Sequence, residues 1–286
     1  MADLSYLDAI ILGVVEGLTE YLPISSTAHL TITEKLLGLE VDDPAVTAYT
    51  AVIQLGAIAA TLLYFFRDIV RFAVAWFRGL TSTQARRDPD YGLAWAVVIG
   101  SIPVGIVGFL ARDLISGALR SLWVVAVALL LWSIAMVVAE RIYAGHEARG
   151  EIRGEHSVRP VDGVVIGLVQ CLSLIPGVSR SGATISAGIA RGIDRVTATR
   201  LSFFLAIPAL TAAGLFQAVE EKDGLSALGV GPVVVGVVVA FVVAYATIAW
   251  LLRFVASNTL LPFVWYRITL AVVLVGVLAA GVITAT

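Results

Sequence analysis

The sequence predicts an all-α protein with several membrane-spanning helices. Its 286 residues are 59% hydrophobic, only 14% are charged, and the mean hydropathy is +0.95. Such a composition is typical of a polytopic membrane protein rather than of a soluble domain. The net charge of −2 gives no reason to expect nucleic acid as a partner, and the single Cys171 excludes an internal disulfide framework. We therefore expect one integral membrane domain over residues 1–286.

Six segments have the roughly 20 apolar residues that a helix needs to cross a bilayer. They are 48–66, 91–110, 122–143, 198–219, 232–252 and 262–283. Four shorter helical segments form two pairs, 4–21 with 26–37 and 161–174 with 181–192. Pro23 interrupts the first pair and Pro176 the second, and helices tend to stop at proline because it lacks a backbone donor. We expect both pairs to be re-entrant hairpins, whose irregular backbone must be buried in protein or line a wet cavity.

The two halves of the chain resemble each other around these breaks. ILGVVEGLTEYLPISST at 11–27 matches VIGLVQCLSLIPGVSRSG at 165–182, with Gly13 over Gly167, Glu16 over Gln170 and, after a gap of one residue, Pro23 over Pro176. Each repeat, about 4–143 and 161–284, is a hairpin followed by three spans. Because three is odd, the second hairpin must enter from the opposite face, which predicts an inverted-topology repeat. Folds of this kind place their site near the middle of the membrane.

The distribution of cations predicts the orientation. Thirteen arginines lie in the connections 67–90, 141–160, 191–200 and 253–261, whereas the opposite face carries Lys35, Arg112, Arg120 and Lys222. Cytoplasmic loops are enriched in lysine and arginine, so the arginine-rich face is expected to be cytoplasmic. Both termini then lie outside, and the first hairpin enters from the outer side.

Two carboxylates precede the first break. Glu16 and Glu20 are four residues apart, so on a helix they share one face at a separation of about 6 Å. Charges at membrane depth are costly and usually mark a functional cavity, although the two could instead face an aqueous vestibule or pair with Arg180 or Arg267. Neighbouring carboxylates can hold Mg²⁺ or Ca²⁺, or one of them can act as an acid or base. The residues leave this choice open.

Ser25, Ser26 and His29 follow the same break. The serines occupy the N-cap position of the short helix 26–37, where hydroxyls commonly cap free amides and where anions can also bind. His29 lies one turn later and is either a structural residue or a group for nucleophilic attack or proton transfer.

The second break carries an arginine among hydroxyls. Arg180 is flanked by Ser179 and Ser181, with Thr184 one turn later, again at a predicted helix start. A planar guanidinium beside hydroxyls and free amides suits a phosphate group. The alternative is a structural ion pair between the arginine and a glutamate of the other repeat.

Both roles for Arg180 require the two breaks to meet. Gln54 and Arg267 are further polar residues within predicted spans. They could line the same cavity or form hydrogen bonds between helices.

Four motifs carry a family resemblance. They are GVVEGLTEYLPISSTAHL at 13–30, VIQLG at 52–56, PGVSRSGATISAG at 176–188 and LPFVWYR at 261–267. They closely resemble, in collinear order from residue 9 to about 270, the undecaprenyl-diphosphate phosphatase family of bacitracin-resistance type. The resemblance implies hydrolysis of undecaprenyl diphosphate to the monophosphate and inorganic phosphate on the outer side of the plasma membrane, which recycles the lipid carrier of cell-wall synthesis. Functional roles carry over to Glu16, Glu20, Ser25, Ser26, His29, Ser179, Arg180, Ser181 and Thr184.

These residues fit phosphoryl transfer, which depends mainly on positioning and charge neutralisation. We expect Arg180 to clamp the phosphates of a polyprenyl diphosphate with Ser179, Ser181 and Thr184. Glu16 and Glu20 are expected to hold a divalent cation, Mg²⁺ or Ca²⁺, or to orient water. The attacking group is Ser26, His29 or water itself.

A transporter or flippase of a polyprenyl phosphate or other anion is the alternative, because inverted repeats with broken helices are also a transporter architecture. The sequence leaves open the length of the prenyl chain, the metal, the nucleophile and the oligomeric state, for which a homodimer is one candidate.

Overall fold

The computed structural model describes residues 4–41, 43–116, 119, 121–220 and 228–285. Arg120 and Lys222, counted above among the cations of the less basic face, lie outside the described residues. The α-helices are α1 Tyr6–Thr19, α2 Ser26–Leu36, α3 Pro44–Tyr64, α4 Phe66–Thr81, α5 Pro89–Leu110, α6 Arg112–Ser116, α7 Leu122–Ala148, α8 Pro160–Gln170, α9 Arg180–Ala190, α10 Arg195–Glu220, α11 Val230–Val255 and α12 Leu261–Ala279. Short 3₁₀ turns occur at Ala85–Arg87, Glu155–Ser157 and Cys171–Leu174.

Within the described residues, six helices are long and apolar enough to cross a bilayer, as predicted: α3, α5, α7, α10, α11 and α12. Two of them begin at a capped proline a few residues before the predicted start. The side chain of Asp43 accepts a hydrogen bond from the Ala45 amide ahead of α3, and that of Asp88 caps α5 in the same way. Proline at the first helical position is favoured because its missing amide hydrogen has no helical acceptor there.

Helix α4 lies within the predicted connection 67–90, which the sequence analysis left without regular structure. Its buried residues Phe72, Ala75 and Gly79 recur at helical spacing, whereas Arg67 and Arg71 on other faces are exposed. The helix is therefore amphipathic and lies against the other helices along one stripe. The arginines of this segment interrupt its apolar residues, so the sequence predicted a connection here and not a helix.

The first and second halves of the chain interlock through small residues. Helix α1 packs against α11, where a side chain at Gly13 would lie 2.7 Å from the Gly236 carbonyl oxygen. Helix α8 packs against α5 in the same way, because a side chain at Gly167 would lie 2.2 Å from the Gly100 carbonyl oxygen. In a membrane the hydrophobic effect does not drive helices together, so they associate through close packing. Small residues permit this because they allow the helix backbones to approach each other. Each broken helix pair is thus held by a span from the other half.

Polar contacts join the four arginine-rich connections at one end of the molecule. Arg71 and Arg200 both bind the Glu155 carboxylate, the second at 2.9 Å. Glu140, near the end of α7, pairs with Arg195 and accepts a hydrogen bond from the Leu260 amide over 2.7 Å, which links the connection 253–261 to 191–200. These contacts agree with the predicted grouping of the connections on one face.

Candidate functional site

Two serines mark the breaks between α1 and α2 and between α8 and α9. Ser25 has φ 77° and Ser179 has φ 76°, and among the described residues these are the only non-glycine positions with positive φ. Each caps the following helix: Ser25 Oγ accepts from the Ala28 amide over 3.4 Å and Ser179 Oγ from the Gly182 amide over 3.2 Å. Non-glycine residues in this region are strained, and such strain is concentrated at functional sites.

Arg267 ties the two breaks together. Its guanidinium is fully buried and donates to the carbonyl oxygens of Pro23 at 3.3 Å and Gly177 at 2.8 Å. It also donates to Ser133 Oγ and the Leu129 carbonyl on α7. The two breaks therefore meet, as the sequence predicted. These contacts are hydrogen bonds between helices, and the predicted contact of Arg267 with a substrate stays a prediction.

Glu20 lies at the meeting point and binds three other predicted site residues. Its Oε1 accepts from Arg180 Nη2 over 2.9 Å in an ion pair between the two halves. Its Oε2 accepts from Ser26 Oγ over 2.7 Å and from Gln54 Nε2 over 3.3 Å. The Glu20 and Arg180 side chains are 3% and 10% exposed, so water screens their attraction little.

Glu16 lies one turn before Glu20 and is fully buried. Neither of its carboxylate oxygens has a hydrogen-bond partner among the described residues. Burying an ionised carboxylate without a partner is unfavourable in free energy, so we expect the Glu16 carboxylate to bind a cation or a proton. In the described part of the chain, no three His, Cys, Asp or Glu side chains lie in an arrangement that could hold a metal ion. Two carboxylates nevertheless fit Mg²⁺, which proteins often bind through one or two carboxylates together with substrate phosphates.

Arg180 is held on its other side by Ser202 of α10, which the sequence analysis missed. Arg180 Nη1 lies 2.9 Å from the Ser202 carbonyl oxygen and 3.2 Å from its Oγ. Thr184 Oγ1 lies 2.7 Å from the same Ser202 Oγ, so the hydroxyls form a short network behind the arginine. A lone serine within an apolar span was the only signal. The Arg180 Nε has no partner among the described residues and stays available as a donor.

Ser179 and Ser181 connect the second break to the first. Ser181 Oγ donates to the Leu22 carbonyl oxygen over 2.9 Å, and the Ser179 and Ser181 hydroxyl oxygens lie 3.2 Å apart. The start of α9, with its free amides and Arg180, is thereby fixed against the carbonyls that follow Glu20. A helix start with this arrangement can bind an anion.

His29 contacts Tyr266, a second residue that the sequence analysis missed although it lies in the LPFVWYR motif. His29 Nδ1 lies 2.7 Å from the Ser25 carbonyl oxygen, and Nε2 lies 2.7 Å from the Tyr266 hydroxyl. Because a carbonyl can only accept, Nδ1 carries the hydrogen and Nε2 of a neutral ring accepts from the tyrosine. The two rings also stack, with centroids 5.6 Å apart. In this arrangement both ring nitrogens of His29 are engaged.

Residues 9–273 match the family model described as bacitracin resistance protein BacA. The chain is also similar to several relatives named undecaprenyl-diphosphatase. It is 55% identical over 277 residues to the protein of Acidothermus cellulolyticus, covering 97% of this chain and 98% of the relative. It is 50% identical over 290 residues to that of Cutibacterium acnes, covering 99% and 100%. The likeness to undecaprenyl-diphosphatase 1 of Streptomyces coelicolor is 51% over 285 residues, with 99% of each covered.

Proposed function

The chain belongs to the BacA family of bacitracin resistance proteins, and we propose that it hydrolyses undecaprenyl diphosphate to undecaprenyl phosphate and inorganic phosphate. This activity recycles the lipid carrier used in cell-wall synthesis. The membrane and a polyprenyl diphosphate lipid are accordingly its partners. A homodimer stays a prediction.

One observation carries the chemical part of the proposal. Glu20 and Arg180, from opposite halves of the chain, meet at 2.9 Å beside the Ser26 hydroxyl. A diphosphate needs a cation to neutralise its charge, donors for its oxygens and an attacking oxygen. Arg180 with the start of α9 supplies the first two, and Ser26 or a water supplies the third.

Ser26 is better placed than His29 to be the attacking group. Its hydroxyl already donates to Glu20 Oε2, which can take the proton as Ser26 Oγ bonds to the terminal phosphorus. The bond from that phosphorus to the bridging oxygen breaks, and undecaprenyl phosphate leaves. Water then attacks the phosphorus of the phosphoserine, the bond to Ser26 Oγ breaks, and Glu20 returns the proton to Ser26 Oγ as inorganic phosphate is released. His29 Nε2, in contrast, is engaged by Tyr266.

Glu16 and Glu20 are the residues that would hold a divalent cation, Mg²⁺ or Ca²⁺. The unpartnered oxygens of Glu16 support this assignment, since nothing else described satisfies them. When bound, the cation would neutralise charge on the phosphate oxygens.

We further propose that the two broken helix pairs are re-entrant hairpins of an inverted-topology repeat. Their shared features support this: the strained capping serines Ser25 and Ser179, and the glycine contacts of Gly13 and Gly167 at matching positions. The hairpin helices α2 and α9 have 11 residues each, too few to cross a bilayer.

The arginine-rich end is proposed to be cytoplasmic, with both termini and the opening of the site on the outer side. The support is the positive-inside bias together with the contacts that join the four connections at that end. A cysteine introduced at exposed Arg149 should then react only with a thiol reagent that crosses the membrane.

The enzymatic proposal is tested with purified protein in detergent, a polyprenyl diphosphate and Mg²⁺ or Ca²⁺. Release of inorganic phosphate is expected, and it should fall when the cation is chelated. Absence of release, together with movement of the headgroup across liposome membranes, would overturn hydrolysis and favour the transport alternative, which the paired breaks also suit.

A further inference from the structure

An apolar groove runs along the outside of α7 beside the second break. Its volume is about 440 Å³, within the range of small-molecule sites. Aliphatic and aromatic side chains of α7 and of the segment 172–178 line it, including Trp123, Val127, Ala128, Leu131, Leu172 and Val178.

The inner end of this groove is built from the same break that carries Arg180. Val178 directly precedes Ser179 and Arg180, and it packs with Ala128 of α7 in one buried cluster. A side chain at Gly177 would lie 2.5 Å from the Val125 carbonyl oxygen, so the break is pressed closely against α7. The lining of the groove therefore reaches the residue directly before Ser179 and comes within two residues of Arg180 in the chain.

The outer end of the groove lies near the start of α7, away from the arginine-rich end. From Ala128, which packs against Val178, back to Trp123 the helix rises by about 7.5 Å. Over that distance the groove runs from the level of the break towards one membrane surface. A chain attached to a diphosphate at Arg180 could follow this path into a single leaflet.

We propose that the groove binds the first isoprene units of the substrate's prenyl chain. This binding site for the lipid part of the substrate rests on the proposed function. Because surrounding lipid tails are as apolar as the groove, the groove contributes orientation of the diphosphate more than affinity.

Leu131→Trp tests the proposal, with Ile134→Trp as its matched control. Both residues lie on α7 and are similarly exposed, at 62% and 61%, but only Leu131 lines the groove. The measured quantity is the ratio of kcat/KM for a long-chain polyprenyl diphosphate to that for the five-carbon isoprenyl diphosphate. We expect Leu131→Trp to lower this ratio about fivefold, because the long chain fills the groove with several units whereas the five-carbon chain places only one unit there and loses less orientation.

Ile134→Trp should keep the wild-type ratio. Equal ratios for the two variants would overturn the groove assignment, while hydrolysis by the wild type would still support the proposed function. If the wild type hydrolyses neither substrate, the proposed function fails and this inference fails with it.

A covalent measurement covers the case in which Leu131→Trp does not fold. A prenyl diphosphate with a photoreactive group on its first isoprene unit should label peptides from 123–132 and 172–178 in the wild-type protein. A phospholipid with the same group in its acyl chain serves as the control for general lipid occupancy. Equal labelling of these peptides by both probes, or labelling elsewhere by the diphosphate, would overturn the proposal.

Discussion

The break between α1 and α2 and the break between α8 and α9 share one backbone design but carry different side chains. Ser25 and Ser179 have nearly the same φ and cap the following helix in the same way. Within this common frame the first break provides Glu16 and Glu20, and the second provides Arg180.

The differences fall at equivalent positions. Aligning the two capping serines places Ser26 opposite Arg180 and Glu20 opposite Leu174, and the sequence match already paired Glu16 with Gln170. Two identical breaks would bring like charges together, whereas this pair brings a carboxylate to a guanidinium at 2.9 Å. The two breaks therefore share their backbone conformation, and the residues in which they differ form the ion pair between them.

The largest effect is expected when the second break loses its charge. Arg180→Ala should lower kcat/KM for phosphate release about 10³-fold, the range found when an arginine that stabilises a phosphoryl transition state is removed. Arg180→Lys, which keeps a charge beside Glu20 but loses the planar fork, should recover only part of that loss.

The exposed Arg149→Ala is the matched control and should keep wild-type activity. A folded Arg180→Ala protein with wild-type turnover would contradict the clamp. Size-exclusion chromatography of each variant establishes that it is folded.

A smaller loss is expected when the first break loses its proton acceptor. Glu20→Gln should lower kcat about 10²-fold, because an amide cannot take the proton of the Ser26 hydroxyl. It should also alter the dependence on the divalent cation. The measurement is initial-rate phosphate release across a cation titration, with exposed Glu147→Gln as the control. Wild-type kcat and an unchanged titration would remove Glu20 from both roles.

Glu16→Gln makes the first break resemble the second, which has Gln170 at the equivalent position. The cation concentration for half-maximal rate should rise about tenfold, a loss of about 1.4 kcal/mol in cation binding. Direct binding of Mg²⁺ or Ca²⁺ by calorimetry separates this effect from turnover. An unaltered affinity would mean that the unpartnered oxygens of Glu16 hold a proton instead.

The smallest effect is expected when either capping serine, the feature that the two breaks share, is replaced. Ser25→Ala and Ser179→Ala should each lower the free energy of unfolding by about 1 kcal/mol, through loss of the cap. Replacement by glycine should cost less at both sites, since glycine tolerates the positive φ without strain. Thermal unfolding in detergent measures all four variants. A large cost at one serine and none at the other would show that the breaks are not equivalent scaffolds.

The sequence predicted most of the membrane architecture because long apolar runs must be buried in lipid whatever their neighbours are. All six spans were found in this way, whereas α4 was missed because Arg67, Arg71 and Arg78 interrupt the run of apolar residues along its sequence. The juxtaposition of Glu20 and Arg180 was also predicted, since both lie at proline breaks of related segments.

What the sequence alone determined was therefore the class of protein, the two breaks and the residue types that the breaks carry. Tertiary structure decided which partners those residues take. Arg267 donates to the carbonyls of both breaks, Ser202 supports Arg180 from another helix, and Tyr266 engages His29 from 237 residues away in the chain. Such pairings depend on the register between packed helices, and register is set by close contacts such as those of Gly13 and Gly167, whose partners lie in the other half of the chain.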